Sequence, residues 1–440
     1  MPSSISSSEA ASSEAASSEG AGPDSPETGS ADAAASAAAA ELALSASPIP
    51  LHAPESPLPG PGAGEHFVRP GFVRLTASDR PGVAQPVPVR DIPVQPWGAI
   101  LAGMLVMLGI MLAGWELYWR AYGVLPTYRN SDGQWLVERR RIDAGEGGKT
   151  VLIGASRILF DTSLPVWEKV AGKRPIQLAL EGTSPVPIME NLADDPNFTG
   201  RLVVDVSPDI FFTGFAYRGS VVPYLRDQTP AQRIGDWLSM HFIEPFVAFY
   251  DPDFALSTVV RRQAWPDRPG LPNRMPVRRL AVHDEDRNTQ MWDKVVNDPE
   301  YRALARRVWA QDFDSPNSVK KSADPEKAQK AIDDAVSRAA AAIEKLRARG
   351  VRVLFVRAPS GGDYYAYEQR AFPRTKTWDV LLERTHAPGI HFEDYPELQG
   401  YDLPEWSHLS PSEAERYTAN YVPIVERMFA EMEAKPAPAR

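Results

Sequence analysis

The stretch Thr150-Val-Leu-Ile-Gly-Ala-Ser156 decides the fold that this sequence predicts. A short apolar run that ends in glycine, alanine and serine is typical of a buried parallel strand that stops at a tight turn. Similar runs follow at residues 176–180, 201–206 and 351–356, with a weaker one at 390–392. Because helical patterns separate these runs, the sequence favours a three-layer α/β fold built on a parallel sheet.

Amphipathic helices are predicted between and after these strands. The clearest covers residues 325–349, which follow Asp324 and precede Gly350; acidic caps and a trailing glycine are typical of helix ends. Because this helix leads directly into the fourth run, it is predicted to be the second half of a β-α-β crossover. The last helix is predicted over residues 411–432, after a capping box that begins at Ser410.

Residues 208–320 interrupt the alternation of strands and helices. This long stretch separates the third strand from the helix at 325–349, and it is predicted to be a mainly helical insertion that forms a subdomain or a lid over a site. The α/β domain as a whole is predicted to span residues 149–433, after a linker at 120–148.

One transmembrane helix is predicted inside the chain, over residues 92–119. Its centre, Trp97–Trp115, reads WGAILAGMLVMLGIMLAGW and carries no charge. At about 1.5 Å per residue its length is close to the hydrocarbon thickness of a bilayer, and tryptophans at both ends resemble interfacial anchors. The alternative, a buried core helix, would normally show a polar face. Two arginines on each side balance, so the positive-inside rule leaves the orientation open.

The residues before this helix, 1–91, are predicted to be a disordered tail. They are rich in alanine, serine and proline, and no aromatic residue occurs before Phe67. Such a segment buries too little apolar surface to offset the entropy lost on ordering. The tail is interpreted either as a segment that recruits a partner or as an extension without a specific role.

The net charge of −10 comes almost entirely from the first 65 residues of this tail. Residues 1–65 contain nine acids and no lysine or arginine, so 47 bases and 48 acids remain in the rest of the chain. A nearly neutral body argues against a nucleic-acid partner. The chain also lacks cysteine, which excludes disulfides, thiol nucleophiles and Cys-ligated metals.

Candidate catalytic residues lie near the ends of predicted strands, where open parallel sheets form their sites. Ser156 directly follows the first strand and is either a nucleophile or the cap of the next helix. His408 ends the sequence Asp402-Leu-Pro-Glu-Trp-Ser-His408. A preceding acid can hold Nδ1 of an imidazole and leave Nε2 as a base toward a serine. Glu405 is the first candidate for that acid and Asp402 the second; the alternative is a surface histidine beside acids.

In combination, these segments resemble the SGNH (GDSL-type) hydrolase superfamily over residues 149–433. Gly154-Ala-Ser-Arg157 is similar to the nucleophile block, with alanine where aspartate is usual. Gly182 is similar to the second block, and Glu405-Trp-Ser-His408 to the last, with glutamate where aspartate is usual. The third block departs from the pattern, because Val206-Ser-Pro-Asp209 stands where an asparagine that donates to the oxyanion is expected.

The resemblance implies roles for individual residues. Ser156 would be the nucleophile, His408 the base, and Glu405 or Asp402 the acid that orients the imidazole. The backbone N–H groups of Ser156 and Gly182 would bind the oxyanion. No metal or organic cofactor is implied. Such a site would be a serine ester hydrolase or an O-acyltransferase.

The missing asparagine, the internal span and the large insertion resemble the membrane-anchored envelope branch of the superfamily. Its members include the alginate O-acetylation proteins and the D-alanyl transfer protein of teichoic acid synthesis. This resemblance implies an acyl-ester substrate on a cell-envelope or exopolysaccharide glycan, and a membrane-bound O-acyltransferase as a partner. It also implies a protein of the cytoplasmic membrane with the tail in the cytoplasm and the C-terminal domain in the periplasm or otherwise outside.

The missing asparagine leaves two hypotheses. Loss of one oxyanion donor typically costs about 10²–10³ in rate. Either Ser207, Ser184 or a residue of the insertion replaces that donor, or the site is slow or inactive. The rival to an enzyme is therefore a non-catalytic scaffold of the same fold in envelope polysaccharide biogenesis.

Overall fold

The structure is a computed structural model that describes residues 94–261, 279–311, 313 and 324–434. Helix α1, Trp97–Ala121, precedes a mixed α/β domain with a five-stranded sheet. The tail predicted over residues 1–91 lies outside the described residues.

The bounds of the remaining elements follow in chain order. The strands are β1 Thr150–Ile153, β2 Ile176–Gln177, β3 Arg201–Asp205, β4 Ala281–His283, β5 Thr289–Met291, β6 Arg352–Arg357 and β7 Gly389–His391. The further α-helices of the described ranges are α2 Asp132–Arg141, α3 Ser156–Asp161, α4 Leu164–Ala171, α5 Val186–Asp194, α6 Pro208–Phe211, α7 Val221–Asp227, α8 Pro230–Phe242, α9 Leu256–Arg261, α10 Asp293–Asn297, α11 Pro299–Ala310, α12 Pro325–Ala348, α13 Gly362–Ala371, α14 Trp378–Thr385 and α15 Pro411–Ala434.

The main sheet is parallel throughout and has the strand order β2-β1-β3-β6-β7. The predicted parallel sheet is thus confirmed, and each of the five apolar runs overlaps one of its strands. β2 is shorter than its run, yet Leu178 and Leu180 still donate backbone N–H groups to the carbonyls of Leu152 and Gly154 on the neighbouring chain segment, at 2.8 and 3.0 Å. The sheet therefore holds the chain in place up to the turn that carries Gly182.

Each face of the sheet has its own hydrophobic core, because successive strand residues point to opposite sides. On one face, Leu202 and Val204 pack with apolar residues of α5, α12 and α14. On the other face, Val203 and Leu354 pack with α3, α4 and α15. Helix α12 begins after Asp324, whose carboxylate accepts the backbone N–H of Glu326 at 3.0 Å, close to the predicted boundary.

The stretch predicted as a linker, residues 120–148, contains helix α2 and belongs to the folded domain. Ser131 caps this helix by accepting the backbone N–H of Gln134 at 3.1 Å. Trp135 is fully buried and donates its Nε1 proton to the carbonyl of Leu178 at 2.9 Å. The helix can be buried despite its charged residues, because Arg139 forms a buried ion pair with Asp195 at 2.6 Å.

The described part of the insertion consists of helices α6 to α11 and an antiparallel hairpin of β4 and β5. It packs against the domain on the side of α3 and α15 through Trp292, Val295 and Tyr301. This placement brings helix α11 to the carboxyl edge of the sheet, where its Trp309 reaches Glu405.

Helix α1 is long and apolar enough to cross a membrane, with a mean hydropathy of 2.1 over its most apolar window and none of that window buried. Its last turns join the α/β domain. Trp119 is buried with its ring centroid 4.8 Å from that of Phe254, and Trp115 donates Nε1–H to the carbonyl of Phe254 at 3.2 Å. The end of the apolar helix is therefore fixed to the insertion.

Candidate active site

Ser156 lies where the chain turns from β1 into α3, at the carboxyl edge of the sheet. The turn requires glycine at position 154, because a Cβ there would lie 2.5 Å from Cβ of Asp205 and 2.6 Å from Cγ2 of Ile158. Ala155 is buried and extended, and Ser156 is the half-buried first residue of the helix. The close packing of β1 against β3 thus forces the serine to the edge where a ligand can reach it.

His408 is held by Glu405, as the spacing of the two residues predicts. Oε1 of Glu405 accepts Nδ1–H of His408 at 2.8 Å and also the backbone N–H of His408 at 2.6 Å. Oε2 accepts the indole N–H of Trp309. The Glu405 side chain is fully buried, and these three donors compensate for the desolvation of its charge. Glu405 therefore fixes both the imidazole plane and the tautomer that leaves Nε2 without a proton.

The alternative acid, Asp402, is not the residue that bonds to the imidazole. It is exposed, whereas the site is buried. The carboxylate that bonds to the imidazole belongs to Glu405, so the first of the two sequence candidates occupies the orienting position.

A second buried acid joins the loop of His408 to the helix of Ser156. Oδ1 of Asp161, the last residue of α3, accepts the backbone N–H of Leu409 at 2.9 Å. Burial raises the pKa of Asp161 well above its ordinary value. The imidazole is further fixed by Phe160, whose ring stacks on it with centroids 4.2 Å apart. Helix α3 thus carries the serine at one end and positions the histidine at the other.

Ser156 and His408 line the same cavity, which has a volume of about 580 Å³. Gly182 lines it as well, in a left-handed conformation with φ +54°. The structure thus brings together the three residues that the sequence assigned to nucleophile, base and oxyanion site. Nε2 of His408 is buried and has no hydrogen-bond partner among the described residues, so no hydrogen bond joins it to Ser156. In unliganded active sites such bonds are often loose and form with the substrate.

After β3, where the resemblance predicts an asparagine, the polar side chains that line the cavity already have hydrogen-bond partners in the protein. Ser207 lines the cavity, but its hydroxyl donates to Oδ2 of Asp205 at 2.9 Å. Asp209 also lines the cavity, and its Oδ2 accepts the hydroxyl of Tyr364 at 2.6 Å. Burial raises the pKa of Asp205, so this carboxyl holds a proton more tightly than it would in water. Ser184, another sequence candidate, is buried outside the cavity lining.

Arg157 is a further charged group in the cavity wall, and sequence reasoning did not single it out. It is fully buried, and its Nη2 lies 2.7 Å from Oε1 of Glu368. Its guanidinium also stacks on the ring of Tyr364 at 5.1 Å. Burial alone would lower the pKa of Arg157, but the nearby acids, Glu368 first, raise it above its ordinary value. A permanent cation therefore lies beside Ser156.

The signal for Arg157 was present in the sequence only as its position next to Ser156. The same holds for Trp309, one of several tryptophans of the insertion, which only the tertiary structure brings to Glu405. Within the described ranges, no cluster of three or more His, Asp or Glu side chains has the arrangement of a metal site.

No protein-family model matches this chain, and no curated protein matches it in sequence.

Proposed function

We propose that this protein is a membrane-anchored, SGNH-like serine esterase or O-acyltransferase that acts on acyl esters of a cell-envelope or exopolysaccharide glycan. The observation that carries the proposal is the hydrogen-bonded pair of Glu405 and His408 in the wall of the cavity that Ser156 also lines. Nε2 of His408 has no hydrogen-bond partner among the described residues. A carboxylate, an imidazole and a serine in one cavity are the groups that nucleophilic acyl transfer requires.

In the proposed reaction, Oγ of Ser156 attacks the acyl carbonyl and Nε2 of His408 takes the hydroxyl proton. The imidazolium is stabilised by Glu405, which keeps its Nδ1 hydrogen bond throughout. As the tetrahedral intermediate collapses, the C–O bond to the leaving alcohol breaks and His408 returns the proton to that alcohol. The same steps in reverse order transfer the acyl group from Ser156 to water or to a sugar hydroxyl.

Arg157 replaces the missing asparagine in this proposal. The negative charge that develops on the carbonyl oxygen would be stabilised by the guanidinium in the cavity wall and by backbone N–H groups at Ser156 and Gly182. A buried cation offers a stronger interaction than a neutral amide because the surrounding dielectric is low. The hydroxyls of Ser207 and Ser184 are less suited, since the first is bonded to Asp205 and the second lies outside the cavity lining.

The direct test is labelling of the full-length protein in detergent with a fluorophosphonate that reacts with activated serines. We expect covalent modification of Ser156, and loss of labelling in Ser156→Ala. Ser207→Ala is the matched control, because Ser207 is a second serine of the same cavity; it should still label. Absence of labelling in the folded wild-type protein, or modification that survives Ser156→Ala, would contradict the proposal.

The alternative function is a non-catalytic scaffold in envelope polysaccharide biogenesis. Two observations favour it. Asp209 lies in the segment where the asparagine is expected, and its carboxylate is already bonded to Tyr364; no hydrogen bond joins Ser156 to His408. A scaffold predicts an unreactive Ser156 and an unchanged phenotype of Ser156→Ala in the cell, so the same variant separates the two functions.

The proposed localisation is the cytoplasmic membrane, with the tail in the cytoplasm and the α/β domain in the periplasm or otherwise outside. It is supported by the apolar helix α1, which separates the tail from the α/β domain in the sequence. A reporter enzyme fused after the last helix should be active only in the extracytoplasmic compartment. Activity of that fusion in the cytoplasm alone would place the domain on the wrong side for an envelope glycan.

A further inference from the structure

Helix α8 presents an apolar stripe to the outside of the molecule. Ile234, Trp237, Leu238 and Phe242 lie on one face of the helix, and their exposed fractions range from 44% to 62%. The buried residues Ser239 and Met240 lie on the other face. This pattern is inverted relative to the surface helix of a water-soluble protein, which turns its apolar face toward the core.

The stripe continues into the chain that follows α8. Phe246 is 63% exposed and Leu256 is 61% exposed. We call these side chains the apolar collar: Ile234, Trp237, Leu238, Phe242, Phe246 and Leu256. Several large apolar side chains exposed along one stretch of the chain indicate a contact surface, because folding of the domain alone does not require them to be exposed.

The position of the collar relative to helix α1 is fixed by hydrogen bonds. The carboxylate of Glu116 accepts the backbone N–H groups of Ala248 and Phe249 at 3.0 and 3.2 Å. One turn later, Arg120 donates to the carbonyl of Phe246 at 2.9 Å. Phe246, which belongs to the collar, is therefore attached with the next residues of its chain segment to the last turns of the apolar helix.

These last turns lie where a membrane-spanning α1 would leave the hydrocarbon. Glu116 is the first charged residue after the uncharged stretch, and Arg120 lies about 6 Å farther along the helix axis. The headgroup region on each side of a bilayer is about 5–7 Å thick. Phe246, bonded to Arg120, is thus placed at the level of the headgroups.

We propose that the apolar collar lies in the lipid–water boundary of the bilayer that α1 spans and forms a second contact of this protein with the membrane. The inference rests on α1 being a membrane span. A lipid surface is the occupant because Phe246 of the collar is attached to the end of α1, where the span would leave the hydrocarbon. The tryptophan, phenylalanine and leucine side chains of the collar are also those that amphipathic helices place into the boundary between headgroups and acyl chains.

The contact has a consequence for the proposed active site. Asp251 and Asp253 line the cavity of Ser156. The chain that carries them is attached to α1 on both sides, by Phe249 to Glu116 and by Phe254 to Trp115. One wall of the cavity is therefore held at the membrane surface. The enzyme of the proposed reaction would bind its substrate close to that surface.

The absence of cysteine from the chain makes a direct test available. Single cysteines are introduced into the full-length protein as Trp237→Cys, Phe246→Cys and Leu256→Cys, labelled with a nitroxide, and reconstituted into phosphatidylethanolamine–phosphatidylglycerol vesicles. Electron paramagnetic resonance then measures collisions with oxygen, which partitions into lipid, and with a water-soluble nickel complex. Met104→Cys in the apolar part of α1 and Lys330→Cys on the exposed side of α12 are the controls.

We expect the ratio of oxygen to nickel collisions at the three collar positions to lie well above that at Lys330→Cys and below that at Met104→Cys. A ratio equal to that of Lys330→Cys would overturn the proposal, as would a water-like ratio at Met104→Cys. Protection from both reagents would overturn it in favour of a protein partner. Spectral broadening that disappears on mixing with unlabelled protein would assign the collar to a second copy of the chain. None of these outcomes depends on reactivity of Ser156, so the two proposals fail separately.

Discussion

Two buried histidines at the carboxyl edge of the sheet have similar neighbours in sequence and opposite surroundings in space. His408 and His391 are 2% and 4% exposed, and each has a glutamate within three residues. Nδ1 of His408 donates to the Glu405 carboxylate at 2.8 Å. Nδ1 of His391 instead accepts the backbone N–H of Glu393 at 3.3 Å, while the Glu393 carboxylate lies 3.6 Å away.

The charges and the space around the two rings differ as well. Burial, and then the cations Arg357 and Arg374, lower the pKa of His391 to about 3. His391 lines a cavity of about 20 Å³, close to the size of one water molecule. His408 lines the cavity of about 580 Å³ that contains Ser156. A histidine becomes a candidate base when a carboxylate holds Nδ1 and the residue lines a cavity large enough for a substrate. Proximity in sequence to a glutamate does not distinguish the two cases.

The largest expected effect separates the two histidines directly. His408→Gln should lower the rate of hydrolysis of p-nitrophenyl acetate by about 10⁴-fold, because it removes the proposed general base. His391→Gln should leave the rate unchanged, since its ring faces no substrate space. Initial rates of the full-length protein in detergent measure both. Similar losses of rate in the two variants would contradict the role of His408 as the general base.

The second effect tests the two glutamates. Glu405→Gln keeps the size of the side chain but removes the charge that stabilises the imidazolium, so we expect a loss of about 10³-fold. Glu393→Gln, beside His391, is the matched change and should leave the rate unaltered. Asp402→Asn should also be silent, because that side chain is exposed. A large loss in Asp402→Asn would transfer the orienting role to that acid.

The third effect compares two arginines that share one partner. Arg157 and Arg357 are both buried, and each lies 2.7 Å from an oxygen of Glu368. Arg157 lines the large cavity and Arg357 the small one. Arg157→Lys should lower the rate by about 10²–10³-fold, as expected for a lost oxyanion interaction. Arg357→Lys should change thermal stability without changing the rate; equal rates in both variants would remove Arg157 from the proposed mechanism.

The smallest effect concerns stability and pH. The pKa of His391 is about 3 in the folded protein, well below its value in the unfolded chain. Below about pH 6.5 the unfolded chain binds a proton that the folded protein excludes, so the free energy of unfolding falls by at most about 1.4 kcal/mol per pH unit for this group. His391→Gln should reduce this slope between pH 6 and pH 4 in urea unfolding. An unchanged slope in His391→Gln would contradict the low pKa of this histidine.

Much of the fold follows from local signals in the sequence. The apolar runs that contain β1, β3 and β6 are continuous because these strands are buried on both faces of the sheet. Helix α12 is marked by Asp324, which caps it in the structure. The sequence does not indicate helix α2, because the tryptophan that it buries lies among charged residues. Trp135 and Arg139 find their partners, Leu178 and Asp195, in distant parts of the chain.

The candidate site was predictable only in part, for the same reason. Glu405 and His408 lie within one loop, so their hydrogen bond is a local event that the spacing predicts. Trp309 completes the surroundings of Glu405 from the insertion, and no local pattern connects the two residues. Nothing in the sequence distinguishes Arg157 from an ordinary polar residue of a helix. Only the tertiary structure shows that it is buried and paired with Glu368.

The sequence by itself determined the order of the five sheet strands, the helix α12 between β3 and β6, the apolar helix α1 and the pairing of an acid with a histidine. Each of these depends on residues close together in the chain. The tertiary structure decided which histidine faces a cavity, which arginine lies in its wall and where the apolar collar lies relative to α1. These features depend on contacts between segments far apart in sequence, and such contacts form only when burial of both faces of the sheet draws those segments together.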